Sequence, residues 1–422
     1  MGQTKNNWIK YLFIGIFVLI SYNSFAENLD NITANNDSVF RAYLAEQNIE
    51  ITKNNDVKIL KSGHEKFIDL FAEIEKAKHH IHLEYFNFRN DSIANKLFDL
   101  LAKKAEEGVQ IRALFDAFGN SSNNQPLKKK HLKEIRKRGI EIEPFDPMRF
   151  PWINHAFHRD HRKIVIIDGT IAYTGGMNIA DYYINGLPEI GEWRDMHIRI
   201  EGDAVALLQN IFLDMWNNCT KQQIGGEDYY PQKTTNTNTP NKEVAIIDRN
   251  PKKTKKLMRR VYAKAIESAN SNIQIINPYF TPTSIIKKAI KKATEKGVKV
   301  EIMISGKSDI PFSPDASMYI VNKLRKKGAD IYIFNGGFHH SKIMMVDSLY
   351  CTVGSTNLNS RSLRYDYEVN AFIFNPQTTE ELITIFKKDQ EESTLLTAEM
   401  YQNRSTWKKF IGWFAHLFTP FL

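Results

Sequence analysis

Three observations predict an α/β protein in which two copies of one unit pack face to face about a pseudo-twofold axis, with the active site at their interface. One constellation of polar residues occurs twice: His161, Lys163, Asp168, Gly175 and Asn178, then His340, Lys342, Asp347, Gly354 and Asn357. In both copies the lysine follows the histidine by 2 residues, the aspartate by 7, the glycine by 14 and the asparagine by 17. Helical and strand-like segments alternate through both halves, the pattern of α/β units with largely parallel strands and helices on the faces. A stretch at 225–242, rich in Thr, Asn, Gln and Pro, lacks apolar periodicity and reads as the linker between them.

In chain order, residues 1–26 carry Lys5 and Lys10, an apolar run at 11–20, then Ser24, Phe25 and Ala26. That is the layout of a secretory signal or, if uncleaved, of a membrane anchor. The lysines precede the apolar run and Glu27 and Asp30 follow it, which places the catalytic body on the periplasmic or extracytoplasmic side of a membrane. The first unit is expected over 39–224. Residues 65–78 read as a helix, 79–86 as a strand in which His80, His82 and Glu84 share one face, 92–107 as a helix stopped by Gly108, and 109–115 as a strand. A basic helix at 127–137 and a short strand at 140–144 follow. The second unit, 243–400, repeats this order: helix 255–269, strand 273–277, helix 283–296 stopped by Gly297, strand 298–304. Even the glycine stop recurs, in Glu107-Gly108-Val109 and Lys296-Gly297-Val298. The tail, 405–422, sets apolar residues at 407, 410, 411, 414, 417, 418 and 421, with Lys408, Lys409 and His416 on or near the other side. Such an amphipathic helix either packs on the core or lies on a membrane surface.

Length and composition bound the chemistry. At 422 residues, 42% hydrophobic and 25% charged, the chain can build two cores and is not a disordered protein. A formal charge of +9 suits a phosphate-rich partner, anionic lipid or nucleic acid. Cys219 and Cys351 lack metal-ligand spacing, and no Gly-x-x-x-x-Gly-Lys loop is present, so neither a zinc site nor a nucleotide is expected.

The repeated motif has a physical meaning if the apolar runs Ile164–Ile167 and Ile343–Val346 are buried strands. Side chains alternate along a strand, so His161 and Lys163 share a face, as do His340 and Lys342. Each imidazole then stands beside an ammonium group, the arrangement needed to attack an anionic phosphorus whose oxygens are held by cations. Asp168 and Asp347 complete the repeated catalytic motif but sit at odd offsets, so they should point elsewhere and act as structural supports. The set His80, His82 and Glu84 could be imagined around a metal; core or site-lining use is the expectation instead, and no metal or cofactor is called for.

These paired motifs resemble those of the phospholipase D superfamily. The wider sequence resembles the bacterial cardiolipin synthases within it, through His80-Ile-His-Leu-Glu-Tyr-Phe86, Ile171-Ala-Tyr-Thr-Gly-Gly-Met-Asn178, Trp193-Arg-Asp195, Pro278-Tyr-Phe280 and Asn357-Leu-Asn-Ser-Arg-Ser-Leu363. The signal-like start departs from those synthases, which usually open with two membrane-spanning segments. What the resemblance implies is metal-free phosphodiester chemistry through a phosphohistidine, with His161 as nucleophile and His340 as general acid/base. Lys163, Lys342, Asn178 and Asn357 would hold the non-bridging oxygens, Ser355 would support them, and Asp195 and Glu368 would orient the histidines. His158 and His339, out of register, are structural or substrate-lining. The implied reaction joins two phosphatidylglycerol molecules into cardiolipin and glycerol at a membrane surface. The alternative is a secreted or periplasmic phospholipase D releasing phosphatidic acid; a nuclease, and with it a nucleic-acid partner, is less expected.

Overall fold

A computed structural model describes residues 37–147, 157–231, 240–311 and 313–418; the signal-like segment and the end of the tail lie outside the described residues. The first half supplies strands β1 (Ile51–Leu60), β2 (His80–Tyr85), β3 (Gln110–Asp116), β4 (Ile140–Phe145), β5 (Ile164–Ile167), β6 (Ile171–Gly175), β7 (Glu192–Arg194) and β8 (His197–Glu201). The second supplies β9 (Lys242–Arg249), β10 (Asn272–Ile276), β11 (Lys299–Ser305), β12 (Asp330–Phe334), β13 (Gly337–His339), β14 (Ile343–Val346), β15 (Tyr350–Gly354), β16 (Glu368–Phe374) and β17 (Ser393–Leu395). Fifteen of these form one sheet in the order β17-β12-β11-β10-β14-β15-β16-β9-β1-β8-β6-β5-β2-β3-β4. Read outward from the β9–β1 junction, the two sides repeat: β9 matches β1, β16 matches β8, β15 matches β6, and so on to β12 and β4. The pseudo-twofold repeat is the one expected, but the halves are joined edge to edge through β1 and β9 in one continuous sheet and not packed face to face.

The helices arise where the sequence places them, with local chemistry fixing their ends. Helix Gly63–Lys76 starts at Ser62, whose hydroxyl accepts from the Glu65 amide, and Asp91 caps helix Ser92–Glu106 through the Ala94 amide. Gly108 and Gly297 stop their helices with φ of +92° and +86°, values that side-chain-bearing residues rarely adopt. Helix Ala204–Thr220 in the first half and Pro376–Glu391 in the second cover the opposite face. Between the layers, Leu70, Ile81, Leu97, Ile164, Phe212 and Trp216, and likewise Ile266, Ile275, Ile290 and Leu382, are fully buried. Each such side chain removed from water stabilises the fold by about 1.5–3 kcal/mol.

Strand direction is where expectation and structure part. Within the large sheet the parallel neighbours are β2-β3-β4 and β10-β11-β12, where each strand reaches the next one beside it through a helical crossover. The motif strands are antiparallel hairpins: β5 pairs with β6 and β14 with β15. Asp168 and Gly169 turn the first with φ of +52° and +65°, and Asp347 and Ser348 turn the second with +53° and +57°. Two successive left-handed residues match the twist of a hairpin.

The unit boundaries also shift. Helix Ser38–Glu46, expected in the first unit, buries Phe40 and Leu44 in the core of the second, with the Phe40 ring 5.0 Å from Tyr350 and 5.4 Å from Phe372. The expected linker begins by docking on the first unit, where Tyr229 is buried, and it has already become β9 at Lys242. Both cysteines are free. Among the described residues no helix is long and apolar enough to cross a membrane. Helix Thr406–Phe418 packs through Gly412, where a Cβ would lie 2.6 Å from the Asp315 carbonyl oxygen, and leaves Trp407, Phe410, Trp413, Phe414 and Leu417 exposed.

Candidate active site

Each motif histidine is carried by a segment that crosses to the other half. The His161 amide donates to the Tyr367 carbonyl at 3.0 Å, and Asp160 bridges Tyr367 in parallel. On the other side β13 pairs with β7 in a separate two-stranded sheet, and the His340 amide donates to the Arg194 carbonyl at 2.6 Å. These are the same connection made twice about the pseudo-twofold axis. Tyr367 precedes Glu368 and Arg194 precedes Asp195, so each crossing delivers a carboxylate to the opposite half's histidine.

The resulting pairs are crossed. His161 Nδ1 lies 3.1 and 3.2 Å from the two Glu368 oxygens, and His340 Nδ1 lies 2.7 Å from Asp195 Oδ2. With Nδ1–H donating to a carboxylate, Nε2 is the nitrogen of each ring that can meet phosphorus or a proton, at His340 with the Lys342 ammonium beside it. Lys342 Nζ stands 2.9 and 3.0 Å from the two ring nitrogens of His340, and Lys163 Nζ donates to the His161 carbonyl at 2.6 Å. Ser355 donates its hydroxyl to Glu368. The glycine-rich turn makes room for the other acid: a Cβ on Gly176 would meet Asp195 Oδ1 at 2.2 Å. Asn178 and Asn357 are buried, and the side-chain oxygen of each has no hydrogen-bond partner among the described residues.

Burial sets the charge states, and it does so unequally. It pushes the Lys163 ammonium down to about 7 and that of Lys342 to about 8, so both cations sit at the edge of losing a proton near neutrality. Burial raises Glu368 to about 7, with Lys163 and Ser355 acting against it. Asp195 feels the same desolvation, yet Lys342 and His340 outweigh it and hold the carboxyl below its ordinary value. Both imidazoles are lowered, first by burial and next by the adjacent lysine, and His161 falls much further than His340.

Other sequence-derived candidates stand outside this centre. Asp168 accepts from the amides of Lys78, His79 and His80, and Asp347 from those of Asn270, Ser271 and Asn272. They lie at the far end of β5 and β14 from the histidines, so neither belongs in a catalytic set; each starts a hairpin and ties it to the neighbouring strand. His158 Nδ1 meets the Tyr365 carbonyl at 2.8 Å, and His339 Nε2 meets Asp389 at 2.9 Å. His80 and His82 both engage Gln209, Glu84 pairs with Arg162 at 3.1 Å, and no cluster able to hold a metal occurs among the described residues.

Sequence reasoning missed Lys66 and Asp389. The buried Lys66 ammonium donates to the carbonyls of Met177 and Asn178 at 3.1 and 3.0 Å, holding the turn that carries Asn178. Asp389 bonds both His339 and Arg194, the residues that precede His340 and Asp195. A lysine amid apolar helix positions was the one available signal for the first.

The family model described as "Cardiolipin synthase, PLD-like domain" matches residues 70–216 and 262–390, one stretch in each half. A cardiolipin synthase from Oceanobacillus iheyensis is 36% identical over 405 residues, covering 96% of this chain and 83% of that protein. A cardiolipin synthase from Listeria monocytogenes is 35% identical over 407 residues with the same coverage, and cardiolipin synthase 2 of Staphylococcus epidermidis is 37% identical over 374 residues, 88% of this chain and 75% of that protein. Among solved structures, phosphatidylserine synthase from Haemophilus influenzae superposes with a TM-score of 0.68 at 15% identity, over 91% of this chain and all of that one, a likeness of fold. With the family model matched once in each half and curated relatives aligned along nearly the whole chain, this protein belongs to the cardiolipin synthase family of the phospholipase D superfamily.

Proposed function

We propose that the protein is a phosphatidyltransferase that makes cardiolipin and glycerol from two molecules of phosphatidylglycerol through a phosphohistidine. The observation that carries this reading is the convergence of two crossed histidine–carboxylate pairs and two buried lysines at one interface, in a chain whose relatives are named cardiolipin synthases. In the first half-reaction His161 Nε2 forms a bond to phosphorus, the bond from phosphorus to the glycerol oxygen breaks, and His340 gives that oxygen its proton. In the second, a hydroxyl of another phosphatidylglycerol returns a proton to His340 and attacks phosphorus while the phosphorus–nitrogen bond breaks. One phosphodiester replaces another, so no nucleotide is consumed. The unequal pairs support these roles. A strongly depressed His161 is neutral and ready to attack, whereas burial and Lys342 lower His340 less, because the ionised Asp195 carboxylate on its Nδ1 works against them and makes it the more readily protonated of the two. Lys163 and Lys342 are placed to neutralise the oxygens as charge gathers on them.

Membrane association is part of the reading. The exposed aromatic stripe of helix Thr406–Phe418, with Lys408 and Lys409 beside it, suits insertion at the surface of an anionic bilayer. The test is to incubate the protein with phosphatidylglycerol vesicles and identify products. Cardiolipin and free glycerol in equal amounts, lost in His161→Ala, are expected; phosphatidic acid alone, with phosphatidylglycerol abundant, would establish the hydrolase instead.

A further inference from the structure

The block Pro278-Tyr279-Phe280 lies beyond β10, and its tyrosine does something the mechanism above does not use. The Tyr279 ring stands 5.9 Å from the His340 ring and is buried, while its hydroxyl donates to the carboxylate of Asp309. Asp309 belongs to the loop between β11 and helix Ser313–Arg325 and is exposed. Two residues earlier, Lys307 donates to the Ile190 carbonyl at 2.9 Å, which fastens this loop of the second half to the first. The carboxylate is therefore held at the rim of the interface, on the His340 side. Trp193 and Phe338, 5.4 and 5.3 Å from His340, complete an otherwise aromatic wall. Beside His161 the ring neighbour is Phe86 at 5.2 Å, which offers no hydrogen bond.

This asymmetry matters because the two histidines face different parts of the substrate. The acid/base histidine meets the alcohol, first as leaving group and then as attacking group, whereas the nucleophile meets only phosphorus. A group that recognises the alcohol must lie on the acid/base side. We propose that Asp309, braced by Tyr279, is the hydroxyl-recognising residue of an alcohol subsite, accepting hydrogen bonds from the free hydroxyls of a glycerol headgroup and so selecting a polyol over a simple alcohol. A carboxylate has about four lone-pair positions, and the Tyr279 hydroxyl takes one, so acceptor capacity remains for a diol. The inference rests on the transferase reading with His340 as acid/base.

Asp309 also favours the protonated forms of His340 and Lys342 by its charge, so its loss could slow every reaction alike. The experiment must read a ratio. The full chain is given phosphatidylglycerol in detergent micelles with either labelled glycerol or labelled 1-propanol as acceptor, and incorporation into lipid gives kcat/KM for each. In the wild type glycerol is preferred. Asp309→Asn, which keeps the size and removes the charge, lowers the glycerol-to-propanol ratio about 10-fold or more, the usual worth of a hydrogen bond to a charged group. Tyr279→Phe, which leaves Asp309 unbraced, lowers the ratio by a smaller factor. An unchanged ratio in both variants, even with both rates reduced in parallel, overturns the subsite and leaves the transferase intact. Incorporation of neither alcohol by the wild type overturns the transferase reading and the subsite with it.

Discussion

Replacing each carboxylate of the crossed pairs by its amide separates the two dyads by pH. Asp195→Asn and Glu368→Gln preserve shape and remove a charge-assisted hydrogen bond to a buried imidazole. Such a bond contributes about 1.5–3 kcal/mol, so the full loss in rate is about 10- to 150-fold. The two variants should show that loss over different pH ranges. Asp195 is held below its ordinary value and is ionised throughout pH 6–8, so the penalty of Asp195→Asn is constant there. Glu368 is raised to about 7: above that it is a carboxylate, below it a neutral acid that already resembles glutamine. The ratio of wild-type to Glu368→Gln turnover should therefore approach unity near pH 5.5 and climb to its full value by pH 8.5.

The assay is cardiolipin formation from micellar phosphatidylglycerol at half-unit pH steps, wild type divided by each variant so that lysine titration largely cancels. What residual effect the lysines leave has a known sign. Glu368 supports the protonated form of Lys163, so its loss lowers that lysine further and steepens the rise at high pH. A Glu368→Gln penalty as large at pH 5.5 as at 8.5 would refute the account of unequal dyads.

Three further outcomes are expected. Because burial brings Lys163 to about 7 and Lys342 to about 8, kcat/KM should fall on the alkaline side from pH 7 to 8, while the limb in kcat moves higher because bound phosphodiester anion favours the protonated lysines; coincident limbs in the two profiles would count against it. Gly176→Ala forces a Cβ to 2.2 Å from Asp195 Oδ1 and should cost about 1–3 kcal/mol in urea unfolding, together with most turnover, whereas Gly225→Ala, at a position with open space around it, should change neither. Replacing Trp407, Phe410 and Trp413 by serine should weaken sedimentation with anionic vesicles while leaving thermal unfolding and micellar turnover unchanged; a large drop in Tm would mean that these rings pack rather than insert.

What the sequence disclosed and what it hid follow from how far each interaction reaches along the chain. The pairing of His161 with Lys163, and of His340 with Lys342, is a matter of strand period and needs no tertiary knowledge. The glycine stops at 108 and 297 are equally local. Strand direction was legible too: Asp168-Gly169 between apolar runs is a hairpin signal, and the regular alternation of helices elsewhere drew the reading towards parallel strands. By contrast, Asp195 meets a histidine 145 residues away and Glu368 one 207 residues away, across an interface that local periodicity cannot specify. The docking of helix Ser38–Glu46 on the second core is hidden for the same reason.

The repeated letters conceal a difference that the position after each motif glycine brings out. Fifteen residues beyond the histidine stands Gly176 in one copy and Ser355 in the other, and each touches the acid of its own half. Glycine lets the shorter Asp195 approach without a side chain in the way, and that acid stays charged between Lys342 and His340. Serine instead gives a hydrogen bond to the longer Glu368, which remains so buried that it titrates near neutrality. The proposed covalent cycle needs one imidazole neutral and the other protonated at the start, and two identical sites would offer no reason for either choice. Duplication supplies the symmetric frame that brings two histidines to one interface; divergence at the acid and at the residue behind it makes the two pairs unequal, as the proposed roles of nucleophile and proton donor require.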